Sequence, residues 1–299
     1  MTNPPANDSR CVGALPGAKP GTPETIAETD IVIPAPGRCG VAARVYLQAA
    51  FSAGAKRATR TLPAVLHFHG GSFTCGTLDD GRIVCQLLAH AGAMVVSIAY
   101  PLAPMAPFPA AIDVGYDALQ WLYRQRVRIG GRDTRIYVAG EEAGGNLAAA
   151  LALVARDRAG PPLAGQILLS PMLDPCSGTS SIREAGAGSS DCPWARGWQA
   201  WLNSPHDTTH PYAVPAASLR LAQLPPTLII VGHIDGLRDE GLKFAARLRA
   251  AGVPVDSLEL MNRSRPAAGA APETTERHCA VTVLERIKGF FASGTPPPG

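Results

Sequence analysis

The chain has 299 residues, 46% of them hydrophobic, and a formal net charge of +3, which supplies a sizeable core and excludes the basic footprint of a nucleic-acid binder. Seven cysteines (Cys11, Cys39, Cys75, Cys85, Cys176, Cys192 and Cys279) are odd in number and far apart, without a C-x-x-C pair or a histidine cluster at metal-ligand spacing, which argues against a disulfide framework or a metal site and fits reduced thiols; no cofactor is expected. The N-terminus has neither the basic start nor the apolar core of a signal peptide and no run approaches a membrane span, so a soluble, cytoplasmic protein is expected, with no membrane partner.

Residues 1–28, rich in Pro, Gly, Thr and Ala without helical period, read as a flexible arm. Asp30 to Pro34 and Val41 to Leu47 predict an opening strand pair around the turn-forming Pro36-Gly37. Leu62 to Phe68 predicts a buried strand running into His69-Gly70-Gly71-Ser72-Phe73. Two glycines after a strand let backbone N–H groups approach a substrate oxygen, as an oxyanion hole requires, although a plain glycine turn would look the same. A helix over Ile83 to Ala91, a strand over Ala93 to Tyr100, a proline-punctuated loop and a helix over Ile112 to Arg124 follow. Strand and helix alternating at this spacing predict parallel βαβ units.

The segment Gly140 to Asn146 (Gly-Glu-Glu-Ala-Gly-Gly-Asn) lies between the strand Ile136 to Ala139 and the helix Leu147 to Arg156. Gly140 and Gly144 flank Glu142 at the spacing of the G-x-S-x-G turn, with glutamate where serine belongs. Beyond it come a strand over Gln166 to Ser170, an irregular polar stretch, and a helix carrying Trp194, Trp198 and Trp201 on one face. Those tryptophans suit packing on the domain or, more sharply, lining a pocket. The strand Thr227 to Val231 ends in Gly232-His233-Ile234-Asp235, and Leu242 to Ala251 predicts a helix. The strand Pro254 to Leu260, a linker over Asn262 to Pro272, the helix Glu273 to Ala292 and a tail at 293–299 complete the chain. One α/β domain over 29–292 is expected, with about 174–223 contributing cap or pocket segments.

The His-Gly-Gly loop, the Tyr100 to Ala111 loop, the 140–146 turn, Leu-Pro-Pro-Thr at 224–227 and Asp235 to Gly241 occur in the order and spacing of the hormone-sensitive-lipase-like branch of the α/β-hydrolase fold, which the chain resembles from Ile31 to Phe291. The resemblance implies an α/β-hydrolase fold, with a mostly parallel central sheet, helices on both faces and a reduced N-terminal cap. It implies Gly70, Gly71 and Ala143 as N–H donors to one substrate oxygen and Asp235 as the triad acid. The family's turn reads Gly-Asp-Ser-Ala-Gly-Gly-Asn, so Glu141 stands at the usual Asp and Glu142 at the nucleophile. The triad histidine has no counterpart around 261–266, where Arg265 falls closest. His278 lies inside the last helix, and His233 is the better spare, at the strand end where ligands bind open α/β sheets.

Serine-type ester hydrolysis is therefore not expected, and three readings follow. The first is a non-hydrolytic lyase-, isomerase- or cyclase-type catalyst, with Glu142 as general acid/base, acting on a small, mostly apolar carbonyl compound such as a secondary metabolite. The others are hydrolysis with Glu142 as nucleophile or water-activating base, and a non-catalytic binder, as in the plant gibberellin receptors that resemble this family. Glu142 could also fold back into its own oxyanion hole. His69, Ser72, Phe73, Glu141, His233, Trp194 and Trp198 are expected around the substrate, and a homodimer is compatible with the sequence.

Overall fold

The computed structural model describes residues 25–35, 37, 39–52, 61–175, 178–185, 192–261 and 272–293. They build an eight-stranded sheet from β1 (Ile26–Ile33), β2 (Val41–Gln48), β3 (Ala64–Phe68), β4 (Met94–Ile98), β5 (Ile136–Glu141), β6 (Leu163–Leu169), β7 (Thr227–Gly232) and β8 (Val255–Leu260), in the order β1-β2-β4-β3-β5-β6-β7-β8. The pairs β1–β2 and β2–β4 are antiparallel and all others parallel. This is the α/β-hydrolase architecture expected from the motifs.

The parallel strands are apolar on both faces because helices cover both. Alternation along β3 and β5 splits the core: Ala64, Leu66, Phe68, Ile136 and Val138 point into one cluster, while Val65, Tyr137 and Ala139 point into the other. The first cluster takes in α3 (Ala110–Gly130), α4 (Ala143–Asp157), α6 (Pro193–Trp201) and α7 (Arg238–Ala250), after α1 (Ala49–Ser52) and α2 (Arg82–His90) in chain order; α5 is Ser180–Glu184. The second lies under α2 and α8 (Pro272–Ala292).

Helix α4 is buried from Ala143 to Ala155. Its alanines allow close approach to β3, β5 and β6 while Leu147, Leu151 and Val154 fill the space between.

Several boundaries differ from expectation. The arm ends earlier than 28, because Ile26, Ala27 and Glu28 pair with Gln48, Leu47 and Tyr46 in β1–β2. Helix α4 begins at Ala143, so Gly144 and Gly145 are its first turn rather than a loop before it. The 262–271 linker, most of the arm and the tail lie outside the described residues. Among the described residues no helix is long and apolar enough to cross a membrane.

Candidate active site at the β5–α4 turn

Glu142 links β5 to α4 with φ 53° and ψ −116°, a left-handed conformation that a glutamate adopts only when its surroundings impose it. Two glycines impose it here. A Cβ on Gly140 would lie 2.2 Å from the Gly144 carbonyl oxygen, and one on Gly144 would lie 2.0 Å from that of Phe68. The turn is further tied by the Glu142 N–H donating to the Leu169 carbonyl at 3.0 Å and the Met172 N–H donating to the Glu142 carbonyl at 3.0 Å. Sheet and helix thus hold the Glu142 side chain above the C-terminal edge of the sheet, the geometry of a nucleophile elbow.

The carboxylate is 6% exposed as a residue and fully engaged. Oε2 accepts the Gly71 N–H at 2.8 Å; Oε1 accepts the Ser72 hydroxyl at 2.7 Å and the Trp194 indole N–H at 2.8 Å. Glu142 therefore sits on the donors of the glycine loop, the folded-back arrangement that the sequence left open. Gly71, at φ 118°, has the Cys75 carbonyl where a Cβ would stand, so the position requires glycine.

Gly70 does not share that target, since its N–H donates to Glu141 Oε1 at 3.3 Å. Ala143 is the first residue of α4, where an N–H has no intrahelical acceptor.

Beneath the elbow Glu141 Oε2 lies 2.8 Å from His67 Nε2, and His67 Nδ1 lies 3.0 Å from Ser97 Oγ. Serine, imidazole and carboxylate in line mimic a hydrolase triad. Ser97 and His67 are both completely buried in the sheet, however, so no substrate reaches them. Burial presses the His67 imidazole down, and the adjoining Cys85 and Glu141 outweigh it, pushing it up to about 10. Glu141 thus ties β3, β4 and the Gly70 backbone to the elbow rather than lining a substrate cavity.

His69 turns away from Glu142. Its Nδ1 lies 2.7 Å from the Gly70 carbonyl and its ring stacks on Tyr100 at 4.3 Å. Burial holds its imidazole below the ordinary value. Phe73 is a core residue, stacked on Trp201 at 4.7 Å and packed on Trp198 at 5.2 Å. Trp198 and Trp201 are both buried. Of the three tryptophans, Trp194 reaches the elbow carboxylate, and it also lies against the Asp235 loop: a Cβ on Gly236 would stand 2.6 Å from its ring.

Asp235 is buried and its Oδ1 accepts the Leu237 N–H at 2.9 Å. His233 Nδ1 lies 2.6 Å from Glu259 Oε1 on the β7–β8 edge, with the side chain 46% exposed. Arg265 and the side chain of His278 lie outside the described residues. No group of three or more His, Cys, Asp or Glu among the described residues is arranged to hold a metal.

Two participants were not singled out from sequence for the contacts they make. His67 alternates with His69 along β3, a pattern that gives no sign of Glu141, 74 residues away. Ser97 carried no signal of its own; its pairing opposite His67 in the β3–β4 register is what places it.

A strained residue between strand and helix, beneath a glycine loop, defines an α/β-hydrolase-type site. The alpha/beta hydrolase fold profile matches residues 65–264, and the chain belongs to that family. It is 38% identical to the esterase LipI of Mycobacterium tuberculosis over 72% of this chain and 69% of that one. It is 40% identical to the carboxylesterase NlhH of the same species over 67% and 64%. The chain thus spans about two thirds of the length of these curated relatives. Among solved structures, the esterase LipW of Mycobacterium marinum superposes with a TM-score of 0.73 at 31% identity, covering 89% of this chain and 82% of the other.

These relatives carry the names of ester hydrolases, which overturns the expected lyase-, isomerase- or cyclase-type catalyst and the non-catalytic binder. In the structure Glu142 takes the Gly71 N–H, and the Trp194 indole lies against both the elbow carboxylate and the Asp235 loop.

Proposed function

We propose that the chain hydrolyses small carboxylic esters, with Glu142 standing where the family's serine does. Glu142 is then the general base that takes the proton from the attacking oxygen. One observation carries this assignment: the Glu142 carboxylate stands at the elbow and is fixed by Gly71 and Trp194 while a third contact, at 2.7 Å, is to a hydroxyl. A base held by two donors and already in hydrogen-bond reach of an oxygen acid is arranged for proton abstraction. The relatives' esterase names supply the reaction class.

Hydrolysis of p-nitrophenyl acetate and butyrate by the wild type and by Glu142→Gln tests it. The wild type should turn over above buffer, and the isosteric amide should lose about 10²- to 10⁴-fold in kcat, the usual contribution of a positioned base. A wild type no faster than buffer, or a Glu142→Gln protein as active as the wild type, would end the proposal.

A further inference from the structure

We infer that Ser72 is the nucleophile, displaced from the elbow to the facing glycine loop and activated by Glu142, an inference that rests on the ester-hydrolase reading above. Ser72 Oγ donates to Glu142 Oε1 at 2.7 Å, within the reach expected of a nucleophile and its base. The base is itself oriented by other groups, Gly71 N–H and Trp194 Nε1–H, which is the remaining element of a nucleophile–base–orienter constellation.

Three further observations single out this hydroxyl. Ser72 is a non-glycine residue at φ 49° in a loop where glycines precede it, so a strained backbone presents its side chain to the elbow. Ser72 and Glu142 are each 6% exposed, and in such shielding a hydroxyl–carboxylate contact is stronger than in water. Helix α6 fixes the loop from above, since a Cβ on Gly197 would lie 2.2 Å from the Ser72 carbonyl oxygen. In the Ser97–His67–Glu141 line the serine and the imidazole have no exposed surface at all.

The reaction balances with water as the only co-reactant. Ser72 Oγ bonds to the ester carbonyl carbon as its proton passes to Glu142 Oε1. The bond from that carbon to the alcohol oxygen breaks, and the alcohol leaves with the proton from Glu142. Water then attacks the acyl-Ser72 ester, gives a proton to Glu142, and the carboxylic acid departs as Ser72 Oγ recovers that proton. The Ala143 N–H, at the start of α4, has no intrahelical acceptor.

The test combines ester turnover with labelling by an alkyl fluorophosphonate, in which the serine oxygen displaces fluoride from phosphorus. The expected result is a single adduct on the peptide containing Ser72 in the wild type, absent from Ser72→Gly and Glu142→Gln, with turnover reduced in both variants by about 100-fold or more. Glycine suits the positive φ, so Ser72→Gly keeps the loop, and an unchanged melting temperature confirms it. Ser72→Cys, labelled by iodoacetamide, should recover modification at the same position. A Ser72→Gly protein hydrolysing within about twofold of the wild type, beside an inactive Glu142→Gln, would show that water attacks directly. The Ser72 assignment would then fall while the ester-hydrolase reading stands. A wild type that neither hydrolyses esters nor takes the label would bring down both.

Discussion

The indole N–H of Trp194 donates to Oε1 of Glu142 at 2.8 Å, tying helix α6 to an elbow 52 residues earlier in the chain. The same ring covers Gly236, so one side chain joins the carboxylate, helix α6 and the Asp235 loop. Its donor and its bulk can be separated. Trp194→Phe retains an aromatic ring over Gly236 but loses the N–H. A hydrogen bond to a charged group contributes about 1.5–3 kcal/mol, so kcat for ester hydrolysis should fall by about 10- to 100-fold while KM changes little. Steady-state kinetics read the split; a loss confined to KM would show that Trp194 only contacts substrate.

The His67–Glu141 pair should register in stability rather than in substrate binding. Removing one partner of a buried pair leaves the other uncompensated, so Glu141→Gln should lose about 3–5 kcal/mol in urea unfolding at pH 6. Its pH dependence has a defined sign. Cys85 and Glu141 together push the folded His67 up to about 10 against an ordinary 6.5, so the stabilisation tied to its proton, of which Glu141 supplies a part, is complete below 6.5, declines as pH rises, and is lost above about 10. The gap between wild type and Glu141→Gln should therefore narrow from pH 6.5 toward pH 10. A gap that widens over that range would contradict the assignment of the proton to His67.

Gly144 tests the steric origin of the elbow. Its missing Cβ leaves room for the Phe68 and His69 carbonyl oxygens, which a methyl group would meet at 2.0 and 2.4 Å. Gly144→Ala should push β3 and its glycine loop away from α4, costing about 3 kcal/mol or more and lowering turnover with it. Urea unfolding measures the first effect and ester hydrolysis the second. Unchanged stability would mean that the close approach of α4 to β3 is not required.

Most of the sheet was legible because its buried strands are short, mostly apolar runs such as Val65 to Phe68 and Leu228 to Val231, bounded by glycine and proline. Helix starts were less so. Gly144 and Gly145 look like loop residues, and only the closeness of α4 to β3 and to Pro171 explains glycine inside a helical turn. Strand β1 was shortened because Ile26-Ala27-Glu28 borders a proline- and glycine-rich arm; its pairing with Tyr46 to Gln48 is a tertiary fact.

At the site, Glu142 and the glycine loop were visible as motifs, but the destinations of their donors were not. Whether Gly70 and Gly71 share one acceptor depends on Glu141 being long enough to reach one of them. Local pattern placed Phe73 and Trp198 beside a substrate; the stacking of Phe73 on Trp201 and its tilted contact with Trp198 require α6 to fold onto the loop at 71–75. The esterase relationship rests on the whole-chain likeness to LipI and NlhH, which the glutamate at position 142 masks in the local motif.

The central claim, that the Glu142 carboxylate performs the proton transfer, is tested most directly by chemical rescue. Glu142→Ala removes the carboxylate and leaves the Gly71 N–H, the Ser72 hydroxyl and the Trp194 N–H with space to bind an added one. Turnover of p-nitrophenyl acetate by this variant should be negligible in buffer and should rise, with saturation, on addition of formate. Full activity without formate, or no recovery at any formate concentration in a folded variant, would contradict the account.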